Sequence, residues 1–137
     1  MSIIKVVLDT NILISAIVFG GKPKKILEMA IKGKISIAVS HPLIQELRGV
    51  LEGNKFQYPE EATEIILTEL ISVGEMVSPT EKISVISNDP PDNRILECAI
   101  TAKANCIVSG DHDLFTLKEF QGIPIYTADQ FLKLYPL

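Results

Sequence analysis

The sequence predicts an α/β fold, a parallel sheet with helices on both faces. Two observations carry this. Short apolar runs recur along the chain, at 3–8, 35–39, 106–108 and 123–126. They are continuous rather than alternating, as expected of strands covered on both sides. Between most of them lie segments with apolar residues at helical spacing, bounded by Gly or Pro.

The elements follow in order. Ile3 to Leu8 is the first strand and stops at Asp9-Thr10-Asn11. Ile12 to Phe19 reads as a helix, broken by Gly20-Gly21-Lys22-Pro23. Lys24 to Lys32 is a second helix, with Ile26, Leu27, Ala30 and Ile31 on one face and Gly33 at its end. Ile35 to Val39 is the second strand. Ser40-His41-Pro42 starts a helix to about Leu51, with either Ser40 or His41 as its N-cap. Pro59, Glu60 and Glu61 suit the first turn of a helix reaching about Val73. Glu75 to Val77 is a short strand. Asp89-Pro90-Pro91 opens a helix to about Lys103. Cys106 to Val108 is a buried strand ending at Ser109-Gly110-Asp111. Ile123 to Tyr126 is the last strand, and Thr127 caps a helix to Leu134.

The length of 137 residues suits one domain, 1–137. At 47% hydrophobic and 22% charged, the chain is too apolar for wholesale disorder. No apolar run nears the roughly 18 residues of a membrane span. Lys5 and Asp9 interrupt the N-terminal apolar stretch, so it is not a signal peptide. Cys98 and Cys106 lack zinc spacing and read as reduced thiols in a cytoplasmic protein. Neither a GxxxxGK nor a GxGxxG motif is present, which disfavours P-loop and dinucleotide folds.

The net charge of −4 argues at first against a nucleic-acid partner. The charge is uneven, however. Residues 1–58 sum to +4 and residues 59–137 to −8. Lys22, Lys24 and Lys25, with Lys32 and Lys34, are candidates for a basic RNA path, although charge runs are usually solvated faces.

Ligand sites in parallel α/β sheets lie beyond the carboxyl ends of the strands. Asp9 and Asp111 follow two such ends, and each also suits a helix cap. On a helical wheel anchored at Leu43, Glu46 falls near about −60° and flanks the apolar stripe, whereas Glu52, near roughly 180°, faces solvent. Asp92 falls in the middle of the arc set by Ile95, Leu96 and Ala99, with Glu97 outside it at about 140°. A capping box from Asp89 to Asp92 also accounts for a carboxylate there. Four converging carboxylates would repel one another, and a divalent cation resolves this. Mg²⁺ takes oxygen ligands and commonly acts on phosphates. Phosphodiester hydrolysis follows, with one ion acidifying water and a second, about 3.5–4 Å away, able to stabilise the leaving oxygen. An aspartyl-nucleophile enzyme would need an acid at position 11, which is Asn11.

The residues match a family. The chain resembles PIN domains, and within them the PIN-type toxins of prokaryotic toxin–antitoxin pairs (VapC-like ribonucleases). The matching stretches are Val6-Val7-Leu8-Asp9-Thr10-Asn11-Ile12-Leu13-Ile14-Ser15-Ala16, Ser40-His41-Pro42-Leu43-Ile44-Gln45-Glu46-Leu47, Asp92-Asn93-Arg94-Ile95-Leu96-Glu97-Cys98-Ala99 and Ile107-Val108-Ser109-Gly110-Asp111-His112-Asp113-Leu114. The resemblance implies a three-layer α/β/α sandwich with a parallel sheet of about five strands. It implies an Mg²⁺- or Mn²⁺-dependent endoribonuclease, the toxin of a type II pair. Asp9, Glu46, Asp92 and Asp111 would be catalytic metal ligands, with Asp113 as an alternative or extra ligand. Asn11 and Ser109 would orient the carboxylates. Ser109 stands where the family often has Thr, and keeps the hydroxyl. His41 reads as structural and His112 as an exposed loop residue. A small antitoxin and a second copy of the chain are the expected partners. The competing expectation is a non-catalytic PIN-like module that binds RNA or a protein.

Overall fold

Val6, Val7 and Leu8 are buried on both sides of their strand, which places β1 (Lys5–Leu8) at the centre of a sheet. The computed structural model describes residues 3–80, 82 and 90–136. The other strands are β2 (Ser36–Ser40), β3 (Gly74–Val77), β4 (Cys106–Val108), β5 (Glu119–Phe120) and β6 (Ile123–Tyr126). The helices are α1 (Thr10–Ile14), α2 (Gly21–Ile31), α3 (His41–Glu52), α4 (Glu60–Val73), α5 (Pro90–Ala102), α6 (His112–Phe115) and α7 (Ala128–Leu134). The sheet order is β3-β2-β1-β4-β6-β5. Five strands run parallel, as expected. The two-residue β5 adds an antiparallel edge to β6.

The period of two along each strand divides the core. Val6, Leu8, Ile37, Val39, Cys106 and Val108 face α1, α2, α3, α4 and α7. Val7, Ala38, Ile107 and Ile125 face α5 and α6. Helices therefore cover both faces, which is the expected three-layer arrangement.

Several boundaries are decided by hydrogen bonding. The helix expected over 12–19 starts at Thr10 and widens into a π-type turn at Ser15–Phe19. Gly20 and Gly21 follow with φ of 87° and 68°, a left-handed pair that strongly favours glycine and turns the chain into α2. Ser40, not His41, caps α3, its Oγ accepting from the Leu43 N–H at 3.4 Å. Pro59 is the N-cap of α4 rather than part of its first turn. Thr127 and Gln130 form a full capping box on α7. Asp89, the expected partner of Asp92 in a capping box, lies outside the described residues.

Two wheel assignments are corrected. Glu97 is buried, 6% exposed. The wheel allowed α5 one buried arc, but α5 packs against β1, β2, β3 and α3 together. Glu97 is balanced by Arg94, whose Nη2 lies 2.7 Å from its Oε2. Glu52 is half-buried rather than turned to solvent, with Arg48 at 3.6 Å. Arg48 also reaches Glu64 on α4, so the α3–α4 contact encloses this side of α3.

Candidate metal centre and its surroundings

The strand registers assemble the site. Leu8 pairs with Val108 and Val108 with Tyr126, so Asp9 and Ser109 emerge side by side from β1 and β4. From β1 the chain crosses to β2 on one side, and β4 lies on the other. This reversal opens a crevice at the carboxyl ends of the strands.

Asp9 is 2% exposed and does two things at once. Its Oδ1 accepts from the Ile12 N–H at 2.8 Å, capping α1. Its Oδ2 accepts from the Ser109 hydroxyl. The Ser109 Oγ in turn accepts from the Asp111 N–H at 2.9 Å. Ser109 thus couples the two carboxyl-bearing loops. Asp111 caps α6, its Oδ1 accepting from Asp113 N at 2.9 Å and Leu114 N at 3.4 Å. Both aspartates are helix caps, and both still lie on the strand edge.

Asp92 arrives from the other layer. It sits in the first turn of α5 and is 7% exposed. A helix N-terminus favours a carboxylate there. One carboxylate oxygen from each of Asp92, Asp111 and Asp113 lies within 4.8 Å of the other two. Asp92 is buried, Asp111 half-buried and Asp113 exposed. These hard, anionic oxygens suit a hard divalent cation, whose ligands stand about 2.0–2.6 Å from the ion. The donor set therefore fits Mg²⁺ or Mn²⁺.

The remaining expected residues are placed as follows. Glu46 is half-buried in the second turn of α3 and is not one of the three clustered acids. Asn11 is exposed on α1 beside Asp9. Lys22 pairs with Asp129, near the start of α7 and three residues beyond the end of β6. Lys24 and Lys25 are exposed on α2. Lys32 and Lys34 precede β2, so they lie at the amino ends of the strands, away from the crevice. His112 is the exposed first residue of α6. His41 is exposed rather than structural, and its Nε2 lies 3.2 Å from Gln45 Nε2. The Arg94–Glu97 pair was missed as a feature near the site. Its i,i+3 spacing after Asp92 was the available signal.

Burial pushes the Asp9 carboxyl above its usual range, and the neighbouring Asp111 charge adds to this. The hydrogen bonds from Ser109, Ile12 and Gly110 oppose the shift without cancelling it. The folded chain thus holds the Asp9 proton more tightly than the unfolded chain does. Without bound cation, the contribution of Asp9 to stability falls as pH rises from about 4 through the raised folded value. Asp9→Asn, which keeps a capping oxygen, is expected to melt at or above the wild-type temperature at pH 7 in EDTA. The advantage should vanish as pH falls below about 4. Melting curves across pH check this, and a variant that melts well below wild type at pH 7 contradicts it.

The sequence profile of the PIN domain matches residues 5–113. An uncharacterized protein of Methanocaldococcus jannaschii is 34% identical over 120 residues, covering 85% of this chain and 76% of that protein. Two crystal structures are similar in fold. One is VapBC2 from Rickettsia felis bound to a DNA fragment from their promoter, with a TM-score of 0.64, 19% identity, and 90% of this chain and 98% of that chain covered. The other is DNA-bound VapBC from Salmonella typhimurium, with a TM-score of 0.60, 16% identity, and coverage of 92% and 99%. No helix among the described residues is long and apolar enough to cross a membrane.

Proposed function

Since the chain belongs to the PIN domain family, we propose that it is a divalent-metal-dependent endoribonuclease and the toxin of a toxin–antitoxin pair. The observation that carries this reading is the convergence of Asp92, Asp111 and Asp113 at the crevice, with their oxygens within 4.8 Å. These three would hold Mg²⁺ or Mn²⁺, and Asp9 and Glu46 are further candidate ligands. A bound cation supplies a Lewis acid that opposes charge on the phosphodiester and makes water a better nucleophile. The chain's own residues supply order. Ser109 holds Asp9 Oδ2 and the Asp111 backbone, which fixes two carboxyl groups relative to each other. The caps on α1 and α6 restrain the same side chains from the opposite side. Such restraint removes reorganisation from the reaction.

The test is cleavage of a pool of structured RNAs by the purified protein, with Mg²⁺ or Mn²⁺ and with EDTA. Cutting is expected only with metal. Mg²⁺ at about 100 times its dissociation constant should stabilise the fold by about 2.7 kcal/mol, read as a higher Tm. Protein that neither cuts RNA nor gains stability from Mg²⁺ is a non-catalytic module instead.

The likeness to two VapBC complexes supports an antitoxin protein as partner, and the same proposal places the toxin in the cytoplasm as a homodimer. Co-purification with the product of an adjacent short reading frame tests the partner, and light scattering tests the dimer. The acidic total is no obstacle to RNA. A cation at the crevice opposes the clustered carboxylates, and the excess negative charge lies after residue 58.

A further inference from the structure

We propose that the groove between the end of β3 and the start of α5 seats the nucleotide next to the scissile phosphodiester, with Arg94 on its phosphate. This rests on the ribonuclease reading above. The groove has a volume of about 620 Å³ and is lined by His41, Pro42, Met76, Val77, Arg94 and Glu97 among others. That size accommodates a small organic ligand.

Position comes first. Ser40 pairs with Val77, so β2 and β3 end level with each other. Their carboxyl ends belong to the same sheet edge as Asp9 and Ser109. Arg94 lies two residues beyond Asp92 on α5. At about 100° per residue the two side chains leave the first turns of α5 on different sides, Asp92 to the acidic cluster and Arg94 to the groove. A polynucleotide crossing the amino-terminal end of α5 would meet both.

The chemistry of the lining is divided. Met76, Val77 and Pro42 are the apolar part of the lining, with Met76 43% exposed at the surface. A thioether and a proline ring form a sequence-tolerant surface for the face of a base. The charged part of the lining is Arg94, held by Glu97 at 2.7 Å. A carboxylate as buried as Glu97 is costly without a cation, so the pair fixes where the guanidinium stands. A fixed planar guanidinium is suited to phosphate oxygens. His41 adds an imidazole to the lining.

Binding of a short single-stranded RNA of mixed sequence, without divalent metal so that nothing is cut, tests this directly. Arg94→Ala and Met76→Glu should each raise Kd about tenfold. Arg94→Ala should also reduce the slope of log Kd against log salt by about 0.7. With Mg²⁺ present, both should raise KM more than they lower kcat and shift the distribution of cut sites. Met76 is exposed, so its variant keeps the proposal testable if Arg94→Ala unfolds by stranding Glu97. RNA binding by folded Met76→Glu within twofold of wild type overturns the proposal. An unchanged salt slope in folded Arg94→Ala does so too. RNA binding that depends on the groove without any cleavage overturns the nuclease reading and supports the groove. Cleavage with KM and cut sites untouched in both variants overturns the groove alone.

Discussion

Replacing Asp92 by Asn is expected to lower metal-dependent RNA cleavage by at least about 100-fold while the protein stays folded. Residues that merely orient a metal ligand typically cost 10–100-fold when changed, and Asp92 is proposed as a ligand itself. Its carboxylate is one of three within 4.8 Å, and it is the buried member. Asn keeps the size and removes the charge, so a loss would reflect lost cation binding rather than lost packing. Asp111→Asn should behave alike. Asp113→Asn separates a ligand from a bystander, because Asp113 is exposed. Loss of the Mg²⁺-induced rise in Tm should accompany each loss of cleavage. Full cleavage by folded Asp92→Asn and Asp111→Asn would remove the basis for the proposed function.

Phe131→Ala should destabilise the fold by about 3–5 kcal/mol. Phe131 is fully buried on α7, in the core layer formed by α2 and the even-numbered residues of β1. Its ring stacks obliquely on Tyr135, with centroids 5.0 Å apart. Truncation removes the apolar burial and leaves a cavity that rigid neighbours only partly fill. For a domain of this size the expected fall in Tm is roughly 10–20 °C. Leu134, 56% exposed on the same helix, is the control. Leu134→Ala should change stability by less than about 0.5 kcal/mol. A fall of only a few degrees for Phe131→Ala would show that α7 contributes little to the core.

Most of the architecture was legible in the residues because its signals are local. Four apolar runs announced β1, β2, β4 and β6. A parallel sheet needs such runs, since both its faces are covered. The place of Asp9 and Asp111 on the carboxyl edge followed directly, because each simply succeeds a strand. Short elements without a repeat were not legible. The two residues of β5 and the single turn of α6 are too brief to show a period.

The site divides in the same way. Which acids stand near the strand ends, and that Asp92 faces inward, could be read from spacing along the chain. Which oxygens meet could not. Asp113 joins Asp92 and Asp111 because the cap on α6 turns the chain there, and no local pattern reports that closure. Glu97 shows the limit most clearly. A helical wheel knows one axis and one buried face, but α5 is enclosed by three strands and α3. Residue types and their periods therefore determined the layers and the edge that carries the acids. Packing between distant segments decided which side chains are buried, paired and brought within reach of one cation, because burial and distance are properties of neighbours that sequence order does not contain.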